Sequence, residues 1–157
     1  MSGYTRNVLV VATDTAERER LATALEGDGF EAELCPGPAE PEDACIGARL
    51  GRCPLARDPC VVVLDMDLGG DGFAQGKAAE DLLDFYLATG HRVVALSSRS
   101  IAGHEDRCLR VRRHPETEIL LAAVWSSASQ RGRGGGGGTD IAGRQEVSAS
   151  GPAPACA

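Results

Sequence analysis

The stretch Cys60-Val61-Val62-Val63-Leu64-Asp65-Met66-Asp67-Leu68-Gly69-Gly70-Asp71-Gly72 decides how this chain folds. Its apolar half is too short for a helix and lacks the polar alternation of a half-solvated strand. Such a run, closed by turn residues, predicts a strand buried on both faces of a parallel sheet. Sheets of that kind gather ligands and chemistry at the carboxyl ends of their strands. Asp65 stands at that end, with Asp67 and Asp71 close behind. It is therefore the foremost candidate for a nucleophile or a metal ligand.

Working outward, Val8-Leu9-Val10-Val11 predicts another buried strand. Asp14 and Glu17 then form a capping pair for a helix with Leu21, Ala24 and Leu25 on one face, ended by Gly27 and Gly29. Glu31-Ala32-Glu33-Leu34 alternates as an outer strand. Residues 36–60 hold five prolines and read as irregular, with one short helix around Ala44 to Leu50. Beyond the Gly69–Gly72 turn, Ala79, Leu82, Leu83, Tyr86 and Leu87 mark a helix over 75–89, closed by Gly90. Val93-Val94-Ala95-Leu96 is a further buried strand running into Ser97. Leu109-Arg110-Val111-Arg112 is an edge-like strand, and Pro115 opens a last helix with Leu120, Ala123 and Val124 inward. Strand and helix alternate throughout, which predicts a doubly wound, flavodoxin-like α/β sandwich with a five-stranded parallel sheet. The domain is expected over 6–125, followed by a flexible Gly/Ser/Pro-rich tail over 126–157.

The 157 residues suffice for one domain with a real core, and 43% apolar with 25% charged residues is a globular balance. A net charge of −7 argues against nucleic acid as a partner, because phosphate neutralisation needs a basic face. No apolar stretch approaches the roughly 20 residues that span a bilayer. The N-terminal residues show no signal-peptide plan, so no membrane partner is expected and the location is read as cytoplasmic. Lys77 is the single lysine among sixteen basic residues.

Six cysteines are many for that compartment. Cys35, Cys45, Cys53 and Cys60 are separated by 9, 7 and 6 residues, unlike the paired short spacings of zinc ribbons. Three or four thiols in a Pro/Gly-rich loop are nonetheless compatible with zinc, with an iron–sulfur centre or with a reversible disulfide. The plain alternative is that they are small buried hydrophobes, which suits Cys60 and Cys108.

With its apolar runs closing on Asp65 and Ser97, the chain resembles, over about residues 6 to 125, the receiver domain of bacterial two-component response regulators. The resemblance implies that Asp65 accepts a phosphoryl group, that Ser97 contacts that group, and that the partner is a histidine kinase or another signalling protein. It also implies Mg2+, for which Asp14, Asp65 and Asp67 are the available carboxylates. His114-Pro115 falls where the family has Lys-Pro, so His114 is expected at the site, whereas Arg113, one residue off register, is expected to face the other way. Ala12-Thr13 stand where the family has an acidic pair, and the segment from Ser97 to His114 is short. These departures make it a degenerate, or pseudo-, receiver. The expected function is a non-enzymatic, stand-alone phosphorelay module acting through protein contacts, its oligomeric state left open. A thiol- or metal-responsive sensor using Cys35, Cys45 and Cys53 is the alternative. Asp65-Met66-Asp67 also resembles the first motif of haloacid-dehalogenase-type phosphohydrolases, but the later lysine and acidic pair of that family are missing.

Overall fold

Five short strands line up in parallel in the order β2-β1-β3-β4-β5. They are β1 (Asn7–Val11), β2 (Glu31–Cys35), β3 (Val61–Asp65), β4 (Arg92–Leu96) and β5 (Leu109–Val111). Among the described residues three helices pack on them: α1 (Thr15–Gly27), α2 (Lys77–Ala88) and α3 (Thr117–Ser129). This computed structural model describes residues 5–37, 51–57, 60–68, 77–101, 103–104 and 107–129. The expected helix around Ala44 to Leu50 and the Gly69–Gly72 turn lie outside the described residues.

The central strands are apolar without interruption because both of their faces are covered. Val8, Val10, Val61, Val63, Val94 and Leu96 point to one side, where α1 supplies Leu21 and Leu25 and α3 supplies Leu120, Ala123 and Val124. Leu9, Val11, Val62, Leu64, Val93 and Ala95 point to the other, against Ala79, Leu82, Leu83 and Tyr86 of α2. The period-two alternation thus splits one hydrophobic run between two cores. β2, at the sheet's edge, keeps the mixed exposure its alternating sequence predicts.

Local signals set the helix ends. At the end of α1, Gly29 takes φ +91°, and Phe30 and Gly29 donate their amides to the Leu25 and Glu26 carbonyls. Gly90, at φ +85°, does the same for α2, with His91 and Gly90 donating to Tyr86 and Leu87. Both are left-handed glycine caps that satisfy carbonyls otherwise lacking a partner.

α3 runs to Ser129, four residues past the expected domain limit at 125. Ser127 and Ala128 are buried. The polar composition after Trp125 concealed this, because a serine on the inner face of a helix fills space like an alanine. Arg92, at the start of β4, reaches the helix end and donates Nη1 to the Ser127 and Ala128 carbonyls at 2.9 and 3.1 Å. A cation on terminal carbonyls also complements the helix dipole. Trp125 lies on Phe30, with ring centroids 4.7 Å apart, and donates its indole N–H to Asp28. The tail beyond Ser129 lies outside the described residues. No helix among the described residues is long and apolar enough to cross a membrane.

Candidate functional site

Asp65 is the last residue of β3, between β1 and β4 in the sheet, and is only 5% exposed. An ionised carboxylate that deep needs hydrogen bonds and a counter-charge. Its Oδ1 accepts from the Asp67 amide at 3.0 Å and from Arg113 Nε at 3.0 Å. Its Oδ2 has a looser partner, Arg113 Nη2 at 3.3 Å. The remaining arm of the guanidinium, Nη1, donates to Asp67 Oδ2 at 2.7 Å. One arginine therefore bridges both carboxylates, giving Asp65 two of its donors and Asp67 one.

The arginine is not the residue the family pattern points to. β5 ends at Val111, so strand alternation no longer governs position 113. His114 takes a left-handed φ of +51°, uncommon for a residue with a side chain, and the chain turns there. Arg113 is brought onto Asp65. His114, 64% exposed at its side chain, faces α1 instead, with Nδ1 3.4 Å from Glu17 Oε1. Arg113, and not His114, therefore meets Asp65, the reverse of what the sequence pattern predicts. The signal in the sequence was indirect: a buried aspartate in a chain lacking the family's lysine needs some cation, and Arg113 is adjacent to the expected position.

The other expected participants occupy the same edge but are engaged locally. Asp14 caps α1, its Oδ1 accepting from the Glu17 amide at 2.7 Å. Glu17 does not complete the capping box. Its carboxylate pairs with Arg20, both contacts at 2.8 Å. That pairing, more than the smaller contributions of His114, holds the Glu17 carboxyl below its usual range against the opposing effect of burial. Ser97 follows β4 directly and is 7% exposed. Its hydroxyl donates to the Arg99 carbonyl at 2.8 Å and accepts from the Arg99 amide at 3.1 Å. Its single proton is spent on its own turn.

These donors do not fit a divalent metal. Asp14 faces a helix end, and Asp65 and Asp67 are bridged by a guanidinium. Among the described residues no group of three or more His, Cys, Asp or Glu side chains is placed to hold a metal ion. The expected Mg2+ site at Asp14, Asp65 and Asp67 is not assembled, because each carboxylate has a nearer partner. Replacing Asp14 by alanine should accordingly lower stability by about 1 kcal/mol, the usual value of such a cap. Urea denaturation measures that loss.

The described thiols join no group of three or more ligands that could hold a metal ion either. Cys35, Cys53, Cys60 and Cys108 form no disulfide with one another. Cys60 is buried and its thiol donates to the Val61 carbonyl at 3.3 Å, as a small core residue would. Cys35 and Cys53 pack half-buried against the α2-side core, and the Cys35 sulfur accepts from the Gly37 amide at 3.4 Å. Cys45, the third member of the expected thiol site, lies outside the described residues. So the zinc or iron–sulfur expectation finds no assembled ligand set among the described residues.

No protein-family model matches the sequence, and no curated protein matches it. Solved structures do match. The N-terminal domain of a response regulator/sensory box/GGDEF three-domain protein from Carboxydothermus hydrogenoformans superposes with a TM-score of 0.52 at 16% identity, covering 78% of this chain and 93% of that one. A CheY-like response regulator receiver domain protein from Methanospirillum hungatei gives 0.52 at 19% identity, covering 77% and 93%. An adenylate cyclase structure from Rhodopirellula baltica gives 0.55 at 18% identity, covering 94% and 98%. The fold is that of receiver domains, an all-parallel five-stranded α/β sandwich.

Proposed function

We propose that this chain is a receiver-like signalling module in which Asp65 is the phosphoacceptor, and that a protein partner reads the carboxyl edge of its sheet. The supporting observation is the placement of Asp65. It is a buried carboxylate at the end of a central strand, held by a cation from the β5–α3 loop.

The two oxygens of Asp65 are unequal. Oδ1 holds two bonds of 3.0 Å, whereas Oδ2 has the 3.3 Å contact alone. Oδ2 is therefore the nucleophile. As the Oδ2–P bond forms, the P–N bond of a phosphohistidine donor breaks, and the leaving imidazole nitrogen takes a proton from solvent. Arg113 lies beside the incoming group, and its fork matches phosphoryl oxygens as well as it matches carboxylates. The added negative charge competes with Asp67 for Nη1. Asp67 is 55% exposed at its side chain and can turn to water. Exchange of partners at Arg113 moves the loop that leads into α3, which converts a charge change into a surface change.

The module is degenerate in a specific sense, because Asp14 and Ser97 are held by neighbouring backbone and Arg113 takes over the cationic role. Its partner is a histidine kinase or another signalling protein, and it acts as a switch without turnover. Intact mass after incubation with a small-molecule phosphoramidate tests the assignment. Wild type should gain one phosphoryl group and Asp65→Asn none. Equal labelling of the two proteins would remove Asp65 from the role.

A further inference from the structure

The carboxyl edge of this sheet holds more than one guanidinium. Besides Arg113, Arg18 of α1 turns back over the end of β1. Its Nη1 donates to the Ala12 carbonyl at 2.6 Å and to the Thr13 carbonyl at 3.3 Å, and its Nη2 contacts Thr15 Oγ1 at 3.4 Å. Ala12 lies one residue past the register pair Val11–Leu64, which sets the end of β1 beside Asp65. The oxygens along this edge are thus claimed in turn. Arg18 takes the carbonyls after β1, the α1 amide takes Asp14, and Arg113 takes Asp65 and Asp67.

We infer that this edge carries its cation within the chain: the Arg113 guanidinium, bridging Asp65 and Asp67, holds the place of a divalent metal and excludes one. A hard dication such as Mg2+ needs an octahedron of oxygens and sheds its water reluctantly. To reach Asp65 and Asp67 it would have to break the two Asp65 contacts and the 2.7 Å Asp67 bond. It would then sit close to the displaced guanidinium, with like charges repelling at short range in a half-buried site. Arg18 on the neighbouring carbonyls adds a second positive charge to the same edge. A covalently attached monocation also leaves the site's charge independent of the metal concentration around it.

The inference concerns the unmodified protein and holds whether or not Asp65 accepts a phosphoryl group. A Mg2+ titration of the full chain, followed by backbone amide NMR, tests it without any labelling step. In wild type the Asp65 and Asp67 amides should show no saturable shift. Arg113→Gln, which removes the charge and keeps an amide of similar reach, should acquire a saturable shift at both residues. Its apparent affinity should be at least about tenfold tighter than the limit that the unsaturated wild-type titration sets, because two carboxylates are released to a hard cation. The double variant Arg113→Gln/Asp65→Asn should lose that response. Saturable binding at these residues in wild type overturns the inference, and so does a folded Arg113→Gln protein with no gain. Should Arg113→Gln fail to fold, the wild-type titration alone decides the matter.

Discussion

Replacing Arg113 by alanine should cost about 2–3 kcal/mol of folding stability at neutral pH, and adding Asp65→Asn should return most of it. The first part follows from burial. Asp65 is 5% exposed, and without the guanidinium its carboxylate keeps the Asp67 amide alone among its partners here. Leaving one member of a buried pair unpartnered costs about 3–5 kcal/mol where both are sealed from water. The Arg113 side chain is 26% exposed, so solvent screening reduces the figure. The Asp67 carboxylate, no longer bridged, also repels that of Asp65. The second part is the diagnostic one. Asparagine carries no charge to strand, so Asp65→Asn/Arg113→Ala should lie within about 1 kcal/mol of Asp65→Asn alone, a coupling of about 2 kcal/mol in the double-mutant cycle. Urea denaturation of the four proteins measures it. Single-variant losses that simply add would mean that the bridge contributes nothing as a pair.

Some of this was legible in the sequence and some was not, for reasons that can be traced residue by residue. Val61 to Leu64 could be read because a strand covered on both faces must be apolar throughout, and because strand ends in such sheets locate the chemistry. Ala79, Leu82, Leu83 and Tyr86 could be read because helical spacing puts them on one stripe, where they now line the α2-side core. The position of Asp65 needed nothing more. Its partner did need more. The alternation rule that sends Arg113 away from the site applies only inside a strand, and β5 stops at Val111. The turn that follows depends on a left-handed His114, which no periodicity announces.

Asp14 and Ser97 illustrate a different ambiguity. Short polar side chains at strand ends serve equally as caps and as ligands, and the nearest backbone amide is always within reach. The end of α3 was hidden for a third reason. It is held by Arg92, which lies 35 residues from Ser127 in sequence. Local composition carries no trace of such a contact.

The strand that presents Asp65 supplies the other large effect. Leu64→Ala should destabilise the protein by about 3–4 kcal/mol. Leu64 is fully buried, pairs in register with Val11 of β1 and Ala95 of β4, and belongs to the core under α2. Removing a leucine from such a site loses its transfer free energy and leaves a cavity that strands held on both sides cannot close. The effect on the site should be smaller than the effect on stability. Asp65 remains tied through its own register pair with Leu96, through the Met66 amide on the Leu96 carbonyl at 3.0 Å, and through Arg113. On the proposal that Asp65 is the phosphoacceptor, Leu64→Ala should, under conditions where it is still folded, take up the phosphoryl group at a rate within about threefold of wild type, because the carboxylate itself is not displaced. Denaturation midpoints and labelling rates on the same preparation separate the two quantities. A variant that stays folded yet labels as poorly as Asp65→Asn would show that β3 packing, and not the Arg113 bridge, fixes the carboxylate in its reactive position.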